Sequence, residues 1–263
     1  MGLTFDLGYY YPLLLGLIAG ITVIFGAIPL LRARVGGEAL AKLSLIASGI
    51  LAYIALETGK ESSETIEEML HKGLLNDFLI ASVTTSVALL GTWILLSSIE
   101  REKGVATISK NSPLVIATAL GVHNVGEGFA IASALLSGAV YSAIMFTTGF
   151  AIHNATEGFA IVAPGVLTRS EWIRIRRVLA LALIAGLPTS LGASIYYLGY
   201  VNDIFFANLN TIATAALIYP MIRINLISAS LLGGFNIKFW IFYFIGIALA
   251  YSLETVIILS MSI

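Results

Sequence analysis

The ten residues His123-Asn124-Val125-Gly126-Glu127-Gly128-Phe129-Ala130-Ile131-Ala132 recur thirty positions later as His153-Asn154-Ala155-Thr156-Glu157-Gly158-Phe159-Ala160-Ile161-Val162. Two of the chain's three histidines fall in these copies, each followed at i+4 by a glutamate, and both copies sit inside long apolar stretches. An ionisable side chain at hydrocarbon depth costs about 3 kcal/mol or more, so it is normally held by a partner, by water or by an ion. Residues i and i+4 of an α-helix share a face with Cβ atoms about 6 Å apart, so His123 with Glu127 and His153 with Glu157 each form a two-ligand pincer. Two pincers supply two imidazole nitrogens and two carboxylate oxygens. That donor set suits Zn²⁺ and, more weakly, Fe²⁺, Mn²⁺, Co²⁺ or Cd²⁺, and it can close a tetrahedron. Asn124 and Asn154 point about 100° away from their histidines and offer amide oxygens for a neighbouring metal position or for orienting the ligands.

The rest of the chain must position these groups, and its composition says how. The 263 residues are 58% hydrophobic and 11% charged, with a mean hydropathy of +0.95, whereas soluble domains carry roughly a quarter charged residues. This is the composition of a polytopic membrane protein. The formal net charge of −1 argues against nucleic acid, which binds basic faces. Without cysteine there is no disulfide framework and no thiolate site, so a metal must be held by nitrogen and oxygen. No lysine or arginine precedes the first apolar run, and that run is too long for a cleaved signal peptide, so it reads as a retained first span.

Runs long enough to cross a ~30 Å hydrocarbon core at about 20 residues each occur eight times, near 9–31, 39–58, 76–98, 113–137, 139–163, 176–199, 204–227 and 238–261. Their lack of strand alternation predicts an all-α membrane protein with eight transmembrane helices, in one integral-membrane domain over 1–263. Twelve of the fourteen lysines and arginines flank the odd-numbered loops, while only Lys60 and Lys72 lie in the even ones. Because basic loops stay cytoplasmic, both termini are expected to be extracytoplasmic. The acidic segment between spans two and three, Lys60 to Asp77, reads as a solvated face, with a short exterior helix or a cation-concentrating antechamber as further readings.

With spans four and five antiparallel, His123 and His153 both fall ten residues from the cytoplasmic end, or about 15 Å. Both histidines are therefore expected near the midplane, with Glu127 projecting outward from that level and Glu157 inward as a ladder. The surrounding glycines, Gly121, Gly126, Gly128, Gly149 and Gly158, suit close helix approach.

On these motifs the chain resembles the ZIP (Zrt/Irt-like protein) family of divalent-metal transporters, nearest its small prokaryotic, GufA-like branch. The similarity is strongest in spans four and five, where Pro164 also matches. It extends to Gly16-Leu17-Ile18-Ala19-Gly20 with Gly26 in span one and to Ala185-Gly186-Leu187-Pro188-Thr189-Ser190-Leu191-Gly192-Ala193 in span six. The resemblance implies a ZIP-type helix bundle in the cell membrane, a metal site at His123, Asn124, Glu127, His153, Asn154 and Glu157, and homodimers. It also implies passage of zinc, or of Cd²⁺, Fe²⁺ or Mn²⁺, toward the cytoplasm, by a rigid-body shift of spans one, four, five and six. The metal is then cargo and not a catalytic cofactor. Thr189 stands where members with two bound metals carry a sixth-helix glutamate, and Asn154 is neutral where some carry an acid, so a second metal is short of charge. The segment Glu100 to Ser112 lacks the family's histidine-rich loop.

Glu254 and Glu57 fall inside or near the ends of spans eight and two; each suits a proton or metal relay, or a carboxyl hydrogen-bonded between helices. Arg223 reads as snorkelling to the interface, and His71 as a surface histidine or an outer capture ligand. The alternative to a transporter is a membrane-embedded zinc-dependent hydrolase. It would need a separate base, and no His-Glu-x-x-His motif or further embedded Asp or His accompanies the repeat, so no enzyme is expected. A metal-responsive receptor or a purely structural metal protein is a third reading.

Overall fold

A computed structural model describes residues 7–32, 36–99, 112–167, 175–199 and 202–261. Every regular element among them is helical: α1 (Leu7–Ile21), α2 (Val23–Arg32), α3 (Gly37–His71), α4 (Leu75–Ile99), α5 (Ser112–Leu136), α6 (Val140–Leu167), α7 (Ile175–Ala193) continued by a 3-10 segment (Ser194–Leu198), α8 (Asp203–Leu232) and α9 (Ile237–Met261). Helices satisfy their backbone within one segment, which a hydrocarbon environment demands. Seven helical stretches among the described residues are long and apolar enough to cross a membrane, so the chain is a multi-pass membrane protein. The fifth expected span, α6, is long enough at 28 residues, but His153, Asn154 and Glu157 lower its hydropathy.

Two expected boundaries change. Span one is broken at Thr22, whose hydroxyl donates to the Ala19 carbonyl at 2.6 Å, dividing it into α1 and α2. Span two does not stop near residue 58; α3 runs 35 residues to His71, about 52 Å at 1.5 Å per residue. The acidic segment up to His71 is thus the last turns of α3 and not a separate helix, while Asp77 lies in the first turn of α4. No glycine or proline interrupts 60–71, and the i,i+4 pairs Lys60–Glu64 at 3.5 Å, Glu67–His71 at 3.3 Å and Glu68–Lys72 at 3.1 Å run along its surface. The basic residues Arg34, Arg101, Lys103, Lys110, Arg169 and Arg174, and the segment 100–111, lie outside the described residues.

The helices form two groups that pack on each other through α5 with α8 and α3 with α6. In one, α7 packs on α5 and on α1, and α2 packs on α6; in the other, α3 packs on α8 and α9, and α4 on α8. Glycines set the crossings. A Cβ at Gly20 would overlap the Gly186 carbonyl, and one at Gly186 the Gly20 carbonyl; Gly128 and Gly192 stand in the same relation to α7 and α5, and Gly49 and Gly246 join α3 to α9. The α3–α8 crossing also carries a polar ladder: Ser62 to Thr211 at 2.8 Å, Thr58 to Thr214 at 2.8 Å and Ser48 to Asn225 at 2.8 Å. Embedded hydrogen bonds of this kind contribute about 0.6 kcal/mol each. Thr58→Val is accordingly expected to lower stability by about that amount in reversible unfolding in detergent; a loss above roughly 2 kcal/mol would exceed the largest values known for such bonds and contradict this reading. The outer faces of α4 and α9, with Leu79, Val83, Leu90, Ile94, Phe244 and Leu259, are exposed and apolar, as a lipid-facing surface must be.

Between α5 and α6 the turn is short. Gly138 takes φ +77°, a left-handed conformation that only glycine adopts without steric cost, and the Ala139 amide donates to the Ala134 carbonyl at 2.9 Å. Gly138 lies fifteen residues from both His123 and His153. A hairpin folded there brings the two copies of the repeat to one level.

Candidate metal centre

Helices α5 and α6 run antiparallel, and their histidine rings stack, with centroids 5.7 Å apart and planes at 23°. His123 Nε2 lies 3.7 Å from Glu127 Oε1 and 3.9 Å from Glu157 Oε1; His153 Nε2 lies 3.8 Å from Glu127 Oε1 and 3.4 Å from Glu157 Oε1. One ligand atom from each of His123, Glu127 and His153 falls within 4.8 Å of the others, and Glu157 Oε1 faces both histidines. A tetrahedral Zn²⁺ with bonds of about 2.0–2.1 Å needs ligand atoms about 3.3–3.4 Å apart. The four histidine–glutamate distances need to contract by up to about half an ångström to reach that geometry.

The expected ladder of glutamates is therefore replaced by a compact cage. The reason lies in the helix itself: every Cα–Cβ bond tilts toward the N-terminus. Each glutamate follows its histidine, so each carboxyl leans back toward the histidine level, and in antiparallel helices these two leanings converge.

Burial makes the cage chemically demanding. His123, Glu127 and Glu157 are 7%, 4% and 1% exposed, and His123 Nε2, His153 Nε2, Glu127 Oε1 and Glu157 Oε1 have no hydrogen-bond partner. Three buried side chains and the half-buried His153, whose facing atoms make no hydrogen bond, are costly to fold. A divalent cation between them would satisfy all four at once.

The asparagines tie the quartet to the surrounding helices. Asn124 Nδ2 donates to the Ala185 carbonyl of α7 at 3.0 Å. Asn154 Nδ2 donates to the Ala19 carbonyl of α1 at 3.2 Å and to Glu127 Oε2 at 2.8 Å. The second of these bonds fixes which Glu127 oxygen faces the histidines. Both asparagine Oδ1 atoms, Glu157 Oε2 and Thr189 Oγ1 are buried without partners, so the atoms expected at a neighbouring position are all neutral oxygens except one carboxylate.

Of the remaining polar groups, His71 is exposed and pairs with Glu67 at 3.3 Å, far along α3 from the cage. Arg223 is half-buried on α8 and outside the cage. Glu57 and Glu254 line a cavity of about 60 Å³ that also touches His123, Glu127 and His153. Glu61, which the sequence places in the acidic segment read as a solvated face or an antechamber, lines it as well, and so does Asn210, which was not singled out from the sequence. The i,i+4 spacing of Glu57 and Glu61 tied Glu61 to this site, a signal obscured by ending span two at residue 58.

No protein-family model matches the chain, and no curated protein matches it. The functional reading therefore rests on the residues and their geometry.

Proposed function

We propose that this protein is a transporter of divalent transition-metal cations, zinc foremost, and that the cation crosses through the cage of His123, Glu127, His153 and Glu157. The observation that carries the reading is the set of four facing, buried and unpartnered ligand atoms midway along two antiparallel helices. Two imidazoles with two carboxylates match zinc and its neighbours, and a cage that opens onto a carboxylate-lined cavity provides a way in or out. The resemblance to the ZIP family supports passage toward the cytoplasm in a cell membrane, by alternating access within a homodimer. The distribution of basic residues supports placing both termini outside the cytoplasm. The glycine-clamped group of α1, α2, α5, α6 and α7 is suited to move as one body against α3, α4, α8 and α9.

In liposomes, the purified protein is expected to take up Zn²⁺, and His123→Ala and Glu127→Ala are each expected to reduce uptake to the protein-free level. Uptake undiminished in both variants would sink the site. Tight binding without flux would point to a receptor or a structural metal protein, and zinc-dependent hydrolysis without flux to an enzyme.

A further inference from the structure

The cavity beside the cage holds more carboxylate than the cage uses. Glu57 and Glu61 occupy one face of α3 at i,i+4 spacing, Glu254 reaches the same cavity from α9, and among the described residues no lysine or arginine lines it. Lys60, the nearest base in sequence, pairs instead with Glu64 at 3.5 Å. Asn210 Nδ2 donates to Glu61 Oε2 at 3.0 Å, which orients that carboxyl and leaves its other oxygen for a ligand. A second feature points to a cation in the same space: His123 and Glu127 line the cavity at 7% and 4% exposure, and their Nε2 and Oε1 atoms lack partners.

The cavity also has a neighbour. Ala130, less than one turn beyond Glu127 on α5, lines it and a wider cavity of about 490 Å³ bordered by Glu68, Asp203, Ser133 and Ser137. Those residues lie toward the end of the bundle that carries the α3–α4 turn. The cavity that holds the carboxylates and the cage atoms thus adjoins the wider one at Ala130.

We propose that Glu57, Glu61 and Glu254 form a second, oxygen-only binding position for a partly hydrated divalent cation, a waystation next to the cage. The inference rests on the reading of the cage as a metal site. Carboxylates and water suit a cation that still carries part of its hydration shell, whereas imidazoles favour a transition metal that has shed it. Three carboxylates lining one small cavity, Glu57 and Glu254 half-buried and Glu61 exposed, repel one another, and a divalent cation relieves that repulsion. Handing the ion from oxygen to mixed nitrogen and oxygen ligands divides its dehydration into two steps.

The test uses ¹¹³Cd²⁺ as the probe on purified full-length protein in detergent, with NMR to separate oxygen-only from nitrogen-containing coordination, and with Zn²⁺ uptake in liposomes alongside. The wild type is expected to show both signals. Glu57→Gln/Glu61→Gln/Glu254→Gln is expected to lose the oxygen-only signal, keep the nitrogen-containing one, and raise the KM for uptake about tenfold or more. His123→Ala is expected to lose only the nitrogen-containing signal. If the triple variant retains the oxygen-only signal and an unchanged KM, the waystation is overturned while the cage stands; absence of a nitrogen-containing signal in the wild type would instead count against the cage. Single Glu61→Gln and Glu254→Gln variants serve if the triple variant does not fold, and an unchanged oxygen-only signal in both equally overturns the proposal.

Discussion

His153→Ala is expected to lower Zn²⁺ affinity by more than about 100-fold, because even a partner one shell beyond the ligands is worth roughly 10–100-fold. The imidazole makes the shortest contact of the four, 3.4 Å from Glu157, and lies 3.8 Å from Glu127. Without it, three donors remain, and the two glutamates must share His123 at 3.7 and 3.9 Å. Asn154→Ala provides the scale. It removes the 2.8 Å bond to Glu127 Oε2 but no proposed ligand of the cage, so its loss is expected within about 10–100-fold. Calorimetric titration of the purified variants with Zn²⁺ measures both. Equal losses for the two would mean that His153 acts as a support and not as a ligand.

Gly186→Val is expected to destabilise the protein by about 1–3 kcal/mol or more, the range for overpacking a tight contact, and to weaken Zn²⁺ binding with it. A Cβ there would overlap the carbonyl oxygen of Gly20, and backbone has no rotamer by which to escape. Helices α1 and α7 would have to part. The neighbouring residues Ala19 and Ala185 supply the carbonyls that accept from Asn154 at 3.2 Å and Asn124 at 3.0 Å. Separation of the crossing therefore moves the anchors of both motif asparagines. Gly91→Ala is the control, since a Cβ at Gly91 meets nothing within 4 Å and alanine is the better helix former by about 1 kcal/mol. Thermal unfolding in detergent and Zn²⁺ titration compare the two. A Gly186→Val protein as stable as Gly91→Ala would show that the crossing tolerates separation.

Much of the cage was readable from spacing alone. His123 with Glu127 and His153 with Glu157 define two pincers, and thirty residues between them, with Gly138 midway, define a hairpin that levels the histidines. The convergence of the glutamates could also have been read, from the N-terminal tilt of helical side chains; treating each residue as a point on a cylinder hid it. The continuation of α3 to His71 was missed because hydropathy marks where a span leaves the hydrocarbon, whereas helix continuity depends on the absence of breakers and on the i,i+4 pairs of 60–72. That error also concealed Glu61 as a neighbour of Glu57 on the face toward the cage.

What the sequence by itself determined about this protein is local: a helical membrane chain, and two His/Glu pincers whose periodicity puts each pair on one face. Composition and i,i+4 geometry act within a single segment, so no partner segment is needed to infer them. Only the tertiary structure decided that Asn124 and Asn154 reach the Ala185 and Ala19 carbonyls, that Gly20 and Gly186 are the contact that keeps those carbonyls in place, and that Glu57, Glu61 and Glu254 open onto the cage. These relations join residues as much as 197 positions apart in the chain, and they depend on which faces of which helices meet. In lipid, apolar periodicity says little about that choice, because a leucine is as well solvated by a lipid tail as by another leucine; small residues and buried polar pairs make the choice instead.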